Sequence, residues 1–90
     1  MNPASSTGLA VYPNPASMMV QIDLNLISRD NIQLNVLDIS GRLIRSIVNE
    51  ITSSGNHLYN FSTEELANGV YYITLQSDHQ QAVVRLCVNN

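Results

Sequence analysis

The stretch Leu66-Ala67-Asn68-Gly69-Val70-Tyr71-Tyr72-Ile73-Thr74-Leu75 decides the fold. From Val70 onward every residue is β-branched, aromatic or long and apolar, with Gly69 ahead and Ser77-Asp78 behind. Such a run reads as a strand buried on at least one face. The approach has Leu-x-x-Gly-x-Tyr spacing at Leu66, Gly69 and Tyr71, the pattern of a tyrosine corner in Greek-key sandwiches. There the phenol reaches back to a backbone group a few residues upstream and pins the crossing between two sheets.

Working outward, the other segments repeat the message. Leu9-Ala10-Val11-Tyr12 is a short apolar strand stopped by Pro13-Asn14-Pro15. Proline fixes φ and lacks a donor, so the chain is expected to leave its sheet there through a kink or crossover, with Ala16-Ser17 completing the turn. Val20 to Leu26 alternates strictly, with Val20, Ile22, Leu24 and Leu26 facing a core and Gln21, Asp23 and Asn25 facing water. Ser28-Arg29-Asp30-Asn31 reads as a hairpin-like loop. Ile32 to Ile39 alternates again, with a phase slip at Val36-Leu37 that predicts a bulge or a change of buried face. Asp38-Ile39-Ser40-Gly41-Arg42 is a tight turn in which Gly41 can take positive φ. Leu43 to Ile51 and His57 to Phe61 are further strands, with Tyr59 and Phe61 inward. Ser62-Thr63-Glu64-Glu65 has capping-box spacing and predicts one turn of helix, with Leu66 plugging the end of the core. A turn at Ser77-Asp78-His79-Gln80 leads to a last strand from Gln81 to about Val88. About seven short strands with regular turn signals predict an all-β, immunoglobulin-like antiparallel sandwich with Greek-key connections.

Ninety residues suit one domain with one core. Residues 9–90 are expected to form it, with residues 1–8 a polar linker. Hydrophobic residues make up 44% and charged residues 12%, the latter about half of the usual roughly 25%. Arg29, Arg42, Arg45 and Arg85 are the only cations, lysine is absent, and the net charge is -3. No basic footprint exists for nucleic acid. Cys87 is the single cysteine, which excludes an intrachain disulfide, and its apolar surroundings predict a buried inert thiol. No apolar run approaches the ~18 residues of a membrane helix, and the first eight residues lack the features of a signal peptide.

No set of residues assembles catalytic chemistry. His57 and His79 are distant in sequence and have no partner at metal-ligand spacing. Glu64 and Glu65 fall where acidic residues would favour a helix start. Ser40-Gly41 lacks the frame of a nucleophile elbow, and phosphate-binding glycine loops are absent. Asn60-Phe61-Ser62 fits the N-glycosylation triplet, a pattern common by chance. The chain reads as a non-enzyme without cofactor or metal.

Four features stand in order: Val11-Tyr12-Pro13-Asn14-Pro15-Ala16; Asp38-Ile39-Ser40-Gly41-Arg42-Leu43-Ile44; Phe61-Ser62 followed by Leu66-Ala67-Asn68-Gly69-Val70-Tyr71-Tyr72-Ile73; and a terminal strand carrying Arg85. Together they resemble the type A C-terminal sorting domain of type IX secretion cargo (the Por secretion system), over about residues 9–88. The resemblance implies an address label on an upstream cargo domain in the same chain. The cargo enters the periplasm of a Gram-negative bacterium by a separate signal. Shuttle components and the type IX translocon in the outer membrane then recognise the folded label, with no direct membrane insertion by the label itself. A sortase-like cysteine peptidase removes it, and the cargo is released or joined to lipopolysaccharide at the cell surface. Position by position, the resemblance assigns recognition to Pro13, Asn14, Pro15, Asp38, Gly41, Gly69, Tyr71 and Arg85. Family members often carry lysine in the terminal segment, where this chain has Arg85. The alternative is an immunoglobulin- or fibronectin-like accessory module for glycan or protein. It calls for an exposed aromatic platform, which a chain with four Tyr, one Phe and no Trp supplies poorly.

Overall fold

The computed structural model describes residues 8–90; the expected linker lies outside this range except for Gly8. Seven strands follow one another: β1 (Leu9–Ser17), β2 (Met19–Leu26), β3 (Asp30–Asp38), β4 (Leu43–Thr52), β5 (Gly55–Ser62), β6 (Gly69–Gln76) and β7 (Gln81–Val88). They form two facing layers, β1-β2-β5 and β4-β3-β6-β7. The β-sandwich read from the alternating pattern is the observed architecture.

β1 belongs to both layers. Leu9 to Tyr12 pair antiparallel with β2, opposite Leu24 to Gln21. The strand then passes through Pro13-Asn14-Pro15, where both prolines follow cis peptide bonds. Ala16 emerges on the other layer and pairs parallel with Val88. This is the crossover that the two prolines predict, and it is reached through the prolines' missing donors. Ala16 and Ser17 are not a turn, however: Ala16 is 1% exposed and belongs to the core. The β1–β2 reversal is made instead at Met18, whose φ is 73°.

The core is the set of inward positions of both layers. Val20, Ile22, Leu24 and Leu26 of β2 meet Ile32, Leu34 and Val36 of β3, Ile73 and Leu75 of β6, and Leu86 and Val88 of β7. Phe61 is buried and Tyr59 packs on the core from β5, as their alternation predicts. The phase slip in β3 marks a real irregularity. The register with β4 passes from Leu34↔Val48 to Asn35↔Ser46 and from Val36↔Arg45 to Leu37↔Leu43. Ile47 and Ile44 are therefore extra residues on β4, two bulges in one edge strand.

Three local expectations are corrected. Ser28 to Asn31 does not close a hairpin, because β2 has β1 on one side and β5 on the other. The segment crosses between layers instead, and Asp30 already opens β3. Ser62 to Glu65 forms no helix. The Thr63 amide is committed to the Met18 carbonyl at 2.8 Å, and a single turn closes from the Leu66 amide to the Thr63 carbonyl at 3.0 Å. With β6 starting at Gly69 there is no length for helical propagation to recover its nucleation cost. Cys87 is half-buried, because inward positions on β7 fall to Ala82, Val84, Leu86 and Val88.

Candidate functional site: the end where β1 meets β7

The eight residues assigned from the sequence lie in distant parts of the chain, and the fold brings them to one end of the four-stranded layer. Register places Asp38 opposite Tyr71, Tyr71 opposite Leu86 and Gly69 opposite Val88. Gly41 turns the chain beside Asp38, and Pro13 to Pro15 cross over the end of β7.

Asn14 makes the closest link. Its side-chain Nδ2 donates to the Arg85 carbonyl at 2.7 Å, and the Cys87 amide donates to its Oδ1 at 3.0 Å. A side-chain amide thus occupies the place of a neighbouring strand's peptide group, at the point where the prolines remove backbone donors from β1. The ladder resumes as the Asn89 amide donates to the Ala16 carbonyl at 2.8 Å. Pro13 and Pro15 are exposed, as are the apolar side chains around them: Tyr12 (39%), Met18 (55%) and Met19 (53%). Tyr12, Pro13, Met19 and Asn60 are among the residues lining a shallow groove of about 230 Å³.

The tyrosine corner is present in detail. The Tyr71 hydroxyl donates to the Ala67 carbonyl at 2.7 Å, and the residue is 9% exposed. Gly69 has φ 153°. Among the described residues an added Cβ would meet nothing within 4 Å there, so glycine is required by the backbone conformation and not by space.

Asp38 organises the β3–β4 turn. Its Oδ1 accepts from the Ser40 hydroxyl at 2.6 Å, the Ser40 amide at 2.9 Å and the Arg42 amide at 3.0 Å. The Ser40 hydroxyl and the Arg42 amide hold its carboxyl below the ordinary value against a smaller opposing effect of burial. The Arg42 Nε lies 3.2 Å from Asp38 Oδ2, but the guanidinium is largely exposed and adds little. Gly41 follows with φ 88°, the left-handed residue such a hairpin needs.

Sequence reasoning missed Asn90, the hub of this end. Its Oδ1 accepts from the Met18 amide at 2.9 Å and the Thr63 hydroxyl at 3.2 Å. Its Nδ2 donates to the carbonyls of Thr63 at 2.7 Å and Leu66 at 3.1 Å, and its amide donates to Asn68 Oδ1 at 2.9 Å. One residue therefore ties the β1–β2 reversal, the β5–β6 loop and the end of β7. The only available signal was the polar pair Asn89-Asn90 after an apolar strand, which by itself reads as a solvated tail.

The histidines are apart. His57 Nε2 donates to the Ser53 carbonyl at 2.8 Å. His79 lies at the opposite end, its amide and Nδ1 both donating to Asp30 Oδ2 at 3.1 and 3.0 Å. Burial of Asp30 would raise its pKa, but the His79 side chain, the Ser77 hydroxyl and the amides of His79 and Asn31 together hold it at about 2. Among the described residues no group of three His, Cys, Asp or Glu is placed to hold a metal ion.

These observations define a small immunoglobulin-like sandwich whose first and last strands are stitched together at one end. The chain belongs to the secretion system C-terminal sorting domain family, whose pattern matches residues 10–89. It is a sorting domain of type IX secretion, which implies an attached, exported cargo and contact with the secretion machinery. A search of curated proteins finds no match to this chain.

Proposed function

We propose that the end where β1 crosses to β7 is the surface on which the type IX translocon and its shuttle components read this label. Pro13, Asn14, Pro15 and Arg85 form its centre, with Tyr12, Met18 and Met19 as apolar contacts. Asp38, Gly41, Gly69 and Tyr71 shape the strands and turns that hold it. The observation that carries this reading is the Asn14 side chain bonded to both Arg85 and Cys87. It makes the opening motif and the terminal strand one surface. Exposed backbone-fixed loops on a rigid sheet are where recognition is commonly placed.

In this reading the cargo crosses the periplasm with the label folded and is passed through the outer membrane. A sortase-like cysteine peptidase then cuts ahead of Leu9, and the cargo is released or joined to lipopolysaccharide on the cell surface. The domain boundary at residue 9 follows from the same reading. The test is a fusion of residues 1–90 to an exported reporter in type IX-competent cells. Surface delivery with loss of the label is expected. A folded fusion retained in the periplasm overturns the proposal.

A further inference from the structure

The backbone of β5 offers an unprotected sheet edge. In β2 the Asn25 amide points to β1, where it donates to the Gly8 carbonyl at 2.8 Å. By strand alternation Val20, Ile22, Leu24 and Leu26 then direct their peptide groups to β5, opposite Phe61, Tyr59, His57 and Gly55. The peptide groups of Asn56, Leu58 and Asn60 therefore point away from the sheet. They have no hydrogen-bond partner among the described residues.

The other edges are blunted. β4 carries two bulges and the charges of Arg45 and Glu50. β7 is met by Asn14 and Ala16 and carries Arg85. The first half of β1 stops at Pro13. By contrast β5 pairs with β2 in unbroken register from Ser62 to Gly55. It contains no proline, Asp, Glu, Lys or Arg. Natural sheets use such devices to prevent strand addition, and β5 has none of them.

We infer that β5 is a self-association edge, which pairs antiparallel with β5 of a second copy about a two-fold axis at Leu58. The choice of a second copy rests on the sequence of the edge, Asn56-His57-Leu58-Tyr59-Asn60, which is nearly palindromic. In that register Leu58 faces its own copy, and Asn56 faces Asn60 in both directions. These are the residues whose peptide groups point outward, so each pair exchanges both backbone hydrogen bonds. On the same face the Asn side chains meet as amide pairs, and the Leu58 side chains, 62% exposed in the single chain, cover each other. On the opposite face Tyr59 meets His57, and no like charges are opposed. The interface is isologous and closes at two copies. The Arg45 guanidinium, 5.1 Å from the Phe61 ring centroid, lies beyond the paired segment.

The area is small, so the expected association is weak and reversible. Sedimentation velocity on the 90-residue chain from about 10 μM to about 1 mM should show monomer passing to dimer. Amide shifts in a dilution series should change at Asn56, Leu58 and Asn60. Leu58→Lys, which sets two cations opposite each other, should weaken the dimer at least about tenfold. Val83→Lys, at a similarly exposed site on β7, should leave it unchanged, with folding of both checked by circular dichroism. A monomer throughout this range, shifts confined to β4 or β7, or a Leu58→Lys dimer of undiminished strength would each overturn the proposal. So would β5 shifts that appear only on adding an extended foreign peptide, which would assign the edge to another chain.

Discussion

Asn90→Ala removes side-chain bonds to the Met18 amide, the Thr63 hydroxyl, the Thr63 carbonyl and the Leu66 carbonyl. The Asn90 amide remains to bond Asn68, so only the side-chain bonds are lost. A typical hydrogen bond contributes about 0.5–1.5 kcal/mol net, and a buried group left without a partner costs about 1–3 kcal/mol. Water can reach the Met18 amide and the Leu66 carbonyl once the side chain is gone. It reaches Thr63 poorly, since that residue is 0% exposed. Counting the Thr63 hydroxyl bond near full value, and the other three lower because the Thr63 carbonyl still accepts from the Leu66 amide and water reaches the rest, gives a loss of about 2–3 kcal/mol. For a domain of this size that lowers Tm by about 10–20 °C. Urea unfolding, followed by circular dichroism, measures the change directly. Asn90→Asp keeps the acceptor, loses both donors and sets a carboxylate against two carbonyls, so it should cost about as much. A double-mutant cycle with Thr63→Val should show a coupling of about 1 kcal/mol. A loss below about 0.5 kcal/mol for Asn90→Ala would refute the assignment of this residue as the hub.

Tyr71→Phe deletes the bond to Ala67 while keeping the buried ring, and should lower stability by about 1 kcal/mol in urea unfolding. Gly69→Ala should cost about 1–3 kcal/mol through backbone strain alone, because nothing crowds the added methyl; unchanged stability would show that the backbone there is relaxed. Asp30 has a folded pKa of about 2 against about 3.9 in an unfolded chain. Its stabilising contribution is therefore fully present above about pH 4–5 and is lost as pH falls toward 2. Urea midpoints at descending pH should show this decline, and Asp30→Asn should flatten it.

Local physics made much of this fold legible. In β2 one face is fully buried while Gln21 and Asp23 on the other are half-buried and Asn25 is exposed, so the period of two appears directly in Val20 to Leu26. One of the two bulges of β4, at Ile44, lies opposite the phase slip at Val36-Leu37, whereas the one at Ile47 left no mark in the alternation. The tyrosine corner is a contact between residues four apart, Tyr71 and Ala67, and survives in the spacing. What was hidden depends on contacts between distant segments. Asn14 and Arg85 are 71 positions apart, and nothing near Asn14 reveals that its amide completes another strand's ladder. The helix expected at Ser62 had an adequate local signal, but Thr63 was already bound to Met18 and Asn90. A tertiary commitment overrode a local preference. Asn90 looked like tail because a polar side chain reads the same whether water or buried carbonyls satisfy it.

The reading surface is tested most directly by exchanging its exposed side chains without touching the core. A triple variant Tyr12→Ser, Met19→Ser and Arg85→Glu alters the end where β1 meets β7. Its control, Ile27→Ser with Ile51→Ser, alters apolar positions at the far end that are more exposed than Tyr12 and Met19. With both domains shown to be folded, surface delivery of a fused reporter in type IX-competent cells should fall sharply for the triple variant and persist for the control. Undiminished delivery of the folded triple variant would contradict the account.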